Sequence, residues 1–74
     1  MIERLAQIIS DIIKVEAAAI IAQPTDFGMM ISPGWDSLAQ LAIMTAIEDE
    51  WEVELSIDDM EALNTAEKIF EKFS

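Results

Sequence analysis

The chain has 74 residues, of which 53% are hydrophobic, and it carries 4 Lys+Arg against 15 Asp+Glu for a formal net charge of −11. So acidic a surface repels nucleic acid and anionic membranes and favours basic partners, while the apolar content argues against disorder. Cysteine and histidine are both absent, which excludes a disulfide framework and a thiolate metal site and removes the commonest general base.

A single domain over residues 1–74 is expected, small enough for its stability to be marginal. The start Met1-Ile2-Glu3-Arg4 lacks the basic region and continuous apolar core of a signal peptide. No apolar run is long enough to span a bilayer. A cytoplasmic, monomeric protein without membrane insertion is therefore expected.

Ile2, Leu5, Ile8, Ile9, Ile12 and Ile13 recur with a helical period, and polar residues fill the gaps. This predicts a first helix with one apolar face. Its main break is expected near Val15 or Glu16, although Glu16-Ala17-Ala18-Ala19 has the propensity to carry the helix to Ala22. Residues 23–35 hold both prolines and both glycines and are read as a long connection. With Phe27, Met29, Met30, Ile31 and Trp35, that connection is apolar enough to pack over the helices.

A second helix is expected from Ser37 to Trp51, with Asp36 as its N-cap. At 100° per residue, Gln40, Ile43, Ile47 and Trp51 fall together with Met44 beside them, forming the core face. Trp51 is the expected core anchor, and its truncation to alanine should cost ~3–5 kcal/mol. Leu38, Leu41 and Thr45 fall on the opposite side, with Ala42, Glu48 and Asp49 at its edges. That second stripe is either a partner contact beside Ser37 or a surface covered by the preceding loop. Glu52-Val53-Glu54-Leu55 reads as an extended link whose Val53 and Leu55 turn inward. Ser56-Ile57-Asp58-Asp59 opens a short third helix over Ile57, Met60 and Leu63. Asn64-Thr65-Ala66-Glu67 opens the last helix, which carries Ile69, Phe70 and Phe73.

Ser37 is the residue these elements single out. Pro33 and Gly34 break the chain ahead of it, so its hydroxyl stands at a helix start, where unpaired N–H groups favour an anion. As an enzyme nucleophile it needs a base, and without histidine a Ser-His-Asp arrangement is excluded. Asp58 and Asp59 are placed better in the first turn of a helix than in acid–base chemistry. A calcium loop fails as well: counting from Asp49, its ligand positions fall on Trp51 and Val53, and counting from Asp58 on Met60. A serine modified by another enzyme is what remains.

In this register the chain resembles the acyl/peptidyl carrier protein family. Asp36-Ser37-Leu38 matches the family's attachment motif. Ile43, Ile47 and Trp51, the cluster Glu48-Asp49-Glu50, Leu55, Ile57-Asp58-Asp59, Asn64-Thr65, and Ile69, Phe70 and Phe73 continue the match. It covers Asp36 to Phe73 well and Ile2 to Val15 more loosely. The resemblance implies an all-α, four-helix bundle with a short third helix and a long loop between the first two helices. It implies covalent 4'-phosphopantetheine on Ser37, added from coenzyme A by a phosphopantetheinyl transferase that contacts Asp36. The arm's thiol would carry acyl or aminoacyl groups as thioesters, and the protein itself would catalyse nothing.

Leu38, Leu41, Thr45, Glu48 and Asp49 occupy positions that family members use to recognise loading and processing enzymes with basic docking surfaces. Met29 and Met30 are candidates for an acyl-accommodating pocket, with plain packing as the simpler account. The loop ahead of Ser37 is longer than in fatty-acid carriers, Trp35 replaces a small residue, and Ala39 and Ala42 replace acids. Gly34-Trp35-Asp36-Ser37-Leu38 looks more like the start found in carriers of specialised pathways, those of secondary metabolites or surface polysaccharides. The competing reading is an acidic helical adaptor that binds a basic partner without a prosthetic group.

Overall fold

The computed structural model describes residues 1–73. Helix α1 (Ile2–Ile13) buries Leu5, Ala6, Ile8, Ile9 and Ile13 on one face, as the apolar spacing requires. Lys14 ends it in a left-handed conformation (φ 63°), its N–H donating to the Ser10 carbonyl. Glu16 is extended, and a separate helix α2 (Ala17–Ala22) follows. A straight helix from residue 2 to residue 22 would be about 30 Å long, more than the 27 Å longest dimension of the domain. Folding back at Lys14–Glu16 instead buries Ile20 completely.

The connection after α1 therefore carries structure of its own, namely α2 and a 3-10 turn at Pro24–Asp26. Five α-helices result among the described residues, within the all-α carrier-like architecture the sequence implies. The rest of the connection is fastened to the far end of the chain. Gly28 and Thr65 form an antiparallel bridge, with Met29 N–H donating to the Asn64 carbonyl and Ala66 N–H to the Phe27 carbonyl, both at 2.9 Å. A Cβ at position 28 would meet Thr65 Cγ2 at 2.7 Å and the Asn64 carbonyl oxygen at 2.8 Å. Glycine is what lets these backbones approach.

Helices α3 (Ser37–Trp51), α4 (Ile57–Ala62) and α5 (Ala66–Phe73) complete the bundle. Each begins at a side-chain cap of the kind the sequence announces. Asp36 accepts from Ala39 N–H (2.9 Å), Ser56 from Asp59 N–H (3.1 Å) and Thr65 from Lys68 N–H (3.1 Å). The core joins Leu5, Ile9, Ile20, Ile43, Met44, Ile47 and Ile69, all fully enclosed. An exposed ion pair, Arg4–Glu50 at 2.8 Å, links the start of α1 to the end of α3. The guanidinium hydrogen bond holds the Glu50 carboxyl below its ordinary range. In water such a pair contributes little. No helix among the described residues is long and apolar enough to cross a membrane.

Three expectations change. Trp51, the last residue of α3, is only half-buried against the core, and the chain leaves the bundle there through left-handed Glu52. The indole enclosed by the core belongs to Trp35, 2% exposed. Ile57, at the first position of six-residue α4, is 75% exposed, so the apolar residues turned inward here are Met60 and, at the C-cap, Leu63. Val53 also faces out, whereas Leu55 is half-buried.

Candidate functional site

The segment ahead of α3 is shaped by a glycine and held by a glutamine. Gly34 takes φ 86°, a conformation that a side chain disfavours, and the resulting turn sends Trp35 into the core. The Trp35 indole N–H donates to Gln40 Oε1 at 2.7 Å. Gln40 Nε2 donates in turn to the carbonyls of Met60 (2.7 Å) and Leu63 (2.8 Å). One buried amide thus ties the connection, the first turn of α3 and the end of α4 together, and it leaves no buried side-chain N or O atom unpaired among the described residues. Gln40→Leu is expected to cost about 2–4 kcal/mol in chemical denaturation, because it strands the indole N–H and two carbonyls. A loss below that range would show that water replaces the amide.

Held this way, Ser37 occupies the first position of α3 and is exposed. The other described serines are committed or recessed. Ser32 Oγ accepts from Gly28 N–H (3.0 Å) and donates to the Asp26 carbonyl (3.2 Å), Ser56 caps α4, and Ser10 is half-buried within α1. No hydrogen bond among the described residues engages the Ser37 hydroxyl. The first free amides of α3, those of Ser37 and Leu38, precede the Ala39 and Gln40 amides that Asp36 satisfies through its carboxylate and carbonyl. They give the helix mouth its preference for negative charge.

Ser37 also borders an open depression of about 370 Å³, lined by Met29, Met30, Ser32, Gly34, Trp35 and Asp36. The one titratable side chain in its lining is Asp36, whose Oδ1 caps α3, and the chain has no lysine or arginine between Lys14 and Lys68.

Down α3, Leu38 is 78% and Leu41 54% exposed, with Thr45 and Asp49 open beside them. The connection does not cover this stripe. Glu48 differs from its exposed neighbours Asp49 and Glu50: it is half-buried, and its carboxylate accepts from Leu55 N–H at 2.8 Å, steadying the link to α4. Ala39 is buried and Ala42 exposed. Alanine at 39 is therefore a packing residue, since an acid there would lose its hydration.

Periodicity placed Gln40 on the core face, but not the partners that make it a junction. It did not show how openly Met30 stands, at 96% exposure with φ 68°.

The all-α domain thus holds an exposed, unengaged serine at the mouth of its longest helix. Residues 3–71 match the family model described as the phosphopantetheine attachment site, and the chain belongs to the acyl/peptidyl carrier protein family. Comparison with curated proteins and with solved structures gave no match. In this family 4'-phosphopantetheine is attached covalently to a serine. The residues present fit that group: an exposed hydroxyl is available, free amides at a helix start suit a phosphodiester, and an open depression lies alongside.

Proposed function

We propose that Ser37 is the attachment serine and that the protein is a non-catalytic carrier of acyl or aminoacyl groups. The observation that carries this reading is the contrast among serines within the matched residues. Ser37 alone combines exposure, a free hydroxyl and the first position of a long helix. When bound, phosphopantetheine supplies a terminal thiol that holds cargo as a thioester, which a chain without cysteine cannot do itself.

The chain's own residues do the positioning. Asp36 fixes the first turn of α3, and Trp35 and Gln40 lock that turn to α4. The helix mouth favours the phosphodiester charge. Leu38 and Leu41 offer apolar contact, and Thr45 and Asp49 polar contact, to transferase and processing enzymes with basic surfaces. Glu48 acts through the conformation of the α3–α4 link as well as through its charge. The Gly34-Trp35-Asp36-Ser37-Leu38 start supports a specialised biosynthetic pathway, and a cytoplasmic location belongs to the same reading.

The test is incubation of the apo protein with coenzyme A and a broad-specificity phosphopantetheinyl transferase, followed by intact mass. One phosphopantetheine per chain is expected. No adduct with either of two unrelated transferases would refute the proposal and favour an acidic adaptor without a prosthetic group.

A further inference from the structure

Met30 stands out for reasons that folding does not explain. It is an unbranched apolar side chain, 96% exposed, on a backbone with φ 68° that glycine or asparagine adopts more readily. Ile31 beside it is 55% exposed. The turn that displays them is held from several sides. Ile31 N–H (3.1 Å) and Ser32 N–H (3.0 Å) both donate to the Gly28 carbonyl, and Gly28 N–H donates to Ser32 Oγ (3.0 Å). The bridge to Thr65 then fixes Gly28 itself. A strained, fully displayed apolar residue on an anchored turn is the kind of outlier that points to function.

Its position says what would cover it. Met30 and Ser37 line the same depression, so an enzyme whose active site closes on the Ser37 hydroxyl also meets Met30. Between Lys14 and Lys68, the stretch that includes the depression, the chain has no lysine or arginine and holds all of its acidic residues except Glu3, Asp11 and Glu71. Charge complementarity therefore selects a cationic partner.

We propose that Met30, supported by Ile31, is a second apolar docking point for the transferase that modifies Ser37. It seats in an apolar recess within that enzyme's basic surface, in addition to the contact made by Leu38 and Leu41. This proposal rests on the assignment of Ser37 as the attachment residue.

The experiment measures steady-state transfer from coenzyme A to wild type, Met30→Asn and Met30→Gly by one broad-specificity transferase, with thermal melting of each apo protein. Asparagine and glycine both suit the left-handed backbone, so the fold is retained and only the apolar contact is lost. Losing the burial of one methionine is expected to raise KM for the carrier about ten-fold, with kcat unchanged and the melting temperature not lowered. An unchanged KM in either variant would overturn the docking role, and so would a lowered melting temperature in both, which would make Met30 a structural residue. Wild type that neither this transferase nor a second, unrelated one modifies would instead refute the Ser37 assignment on which the proposal stands.

Discussion

Trp35→Ala is expected to destabilise the domain by ~3–5 kcal/mol, the largest effect of any single truncation in the chain. The indole is 2% exposed within the core, so its removal leaves a cavity under the connection that fixed backbone cannot fill. The loss also strips Gln40 Oε1 of its buried donor, which adds a polar penalty. A domain of this size has about 4–11 kcal/mol in total, so the variant should stand near the edge of unfolding. Trp51→Ala, which removes a half-buried ring at the end of α3, should cost clearly less. Urea denaturation of the two variants decides the order. A larger loss for Trp51→Ala would mean that the roles of the two tryptophans are reversed.

Ser37→Ala is expected to abolish phosphopantetheine transfer completely while leaving the fold intact. The hydroxyl makes no hydrogen bond among the described residues, and the cap of α3 comes from Asp36. Alanine in the first turn should therefore change stability by no more than about 0.5 kcal/mol. Loss of a chemical acceptor admits no partial compensation here, because Ser32 and Ser56 are hydrogen-bonded within the fold. Thermal melting alongside intact mass separates the two effects. Lost transfer together with a collapsed melting temperature would make Ser37 a structural residue.

Much of this was legible in the residues, for physical reasons that differ from element to element. The bounds of α3 were readable because Pro33 and Gly34 break the chain, Asp36 caps the helix, and a 3.6-residue apolar period runs through to Trp51. The exposed stripe was readable as a pattern, since Leu38 and Leu41 fall opposite Ile43 and Ile47. Whether the connection covered it depended on tertiary packing, and the chain leaves it open.

The two tryptophans show where periodicity stops. Trp51 lies in register with the core face, but at the last residue of its helix, where the bundle ends. Trp35 lies outside any periodic segment and is brought inward by the left-handed turn at Gly34. The Gly28–Thr65 bridge and the reach of Gln40 to Met60 and Leu63 join residues far apart in the chain, and no local signal announces such pairings. Likewise the extra helix α2 follows from the need to bury Ile20 within a short domain, a global constraint on a locally ambiguous alanine run.

Whether Ser37 carries the arm is measured most directly by fragment-ion mapping of the wild-type protein after reaction with coenzyme A and transferase. The expected result is a single phosphopantetheine on the fragment that contains Ser37. An adduct on Ser10, Ser32 or Ser56, or one that persists in Ser37→Ala, would contradict it.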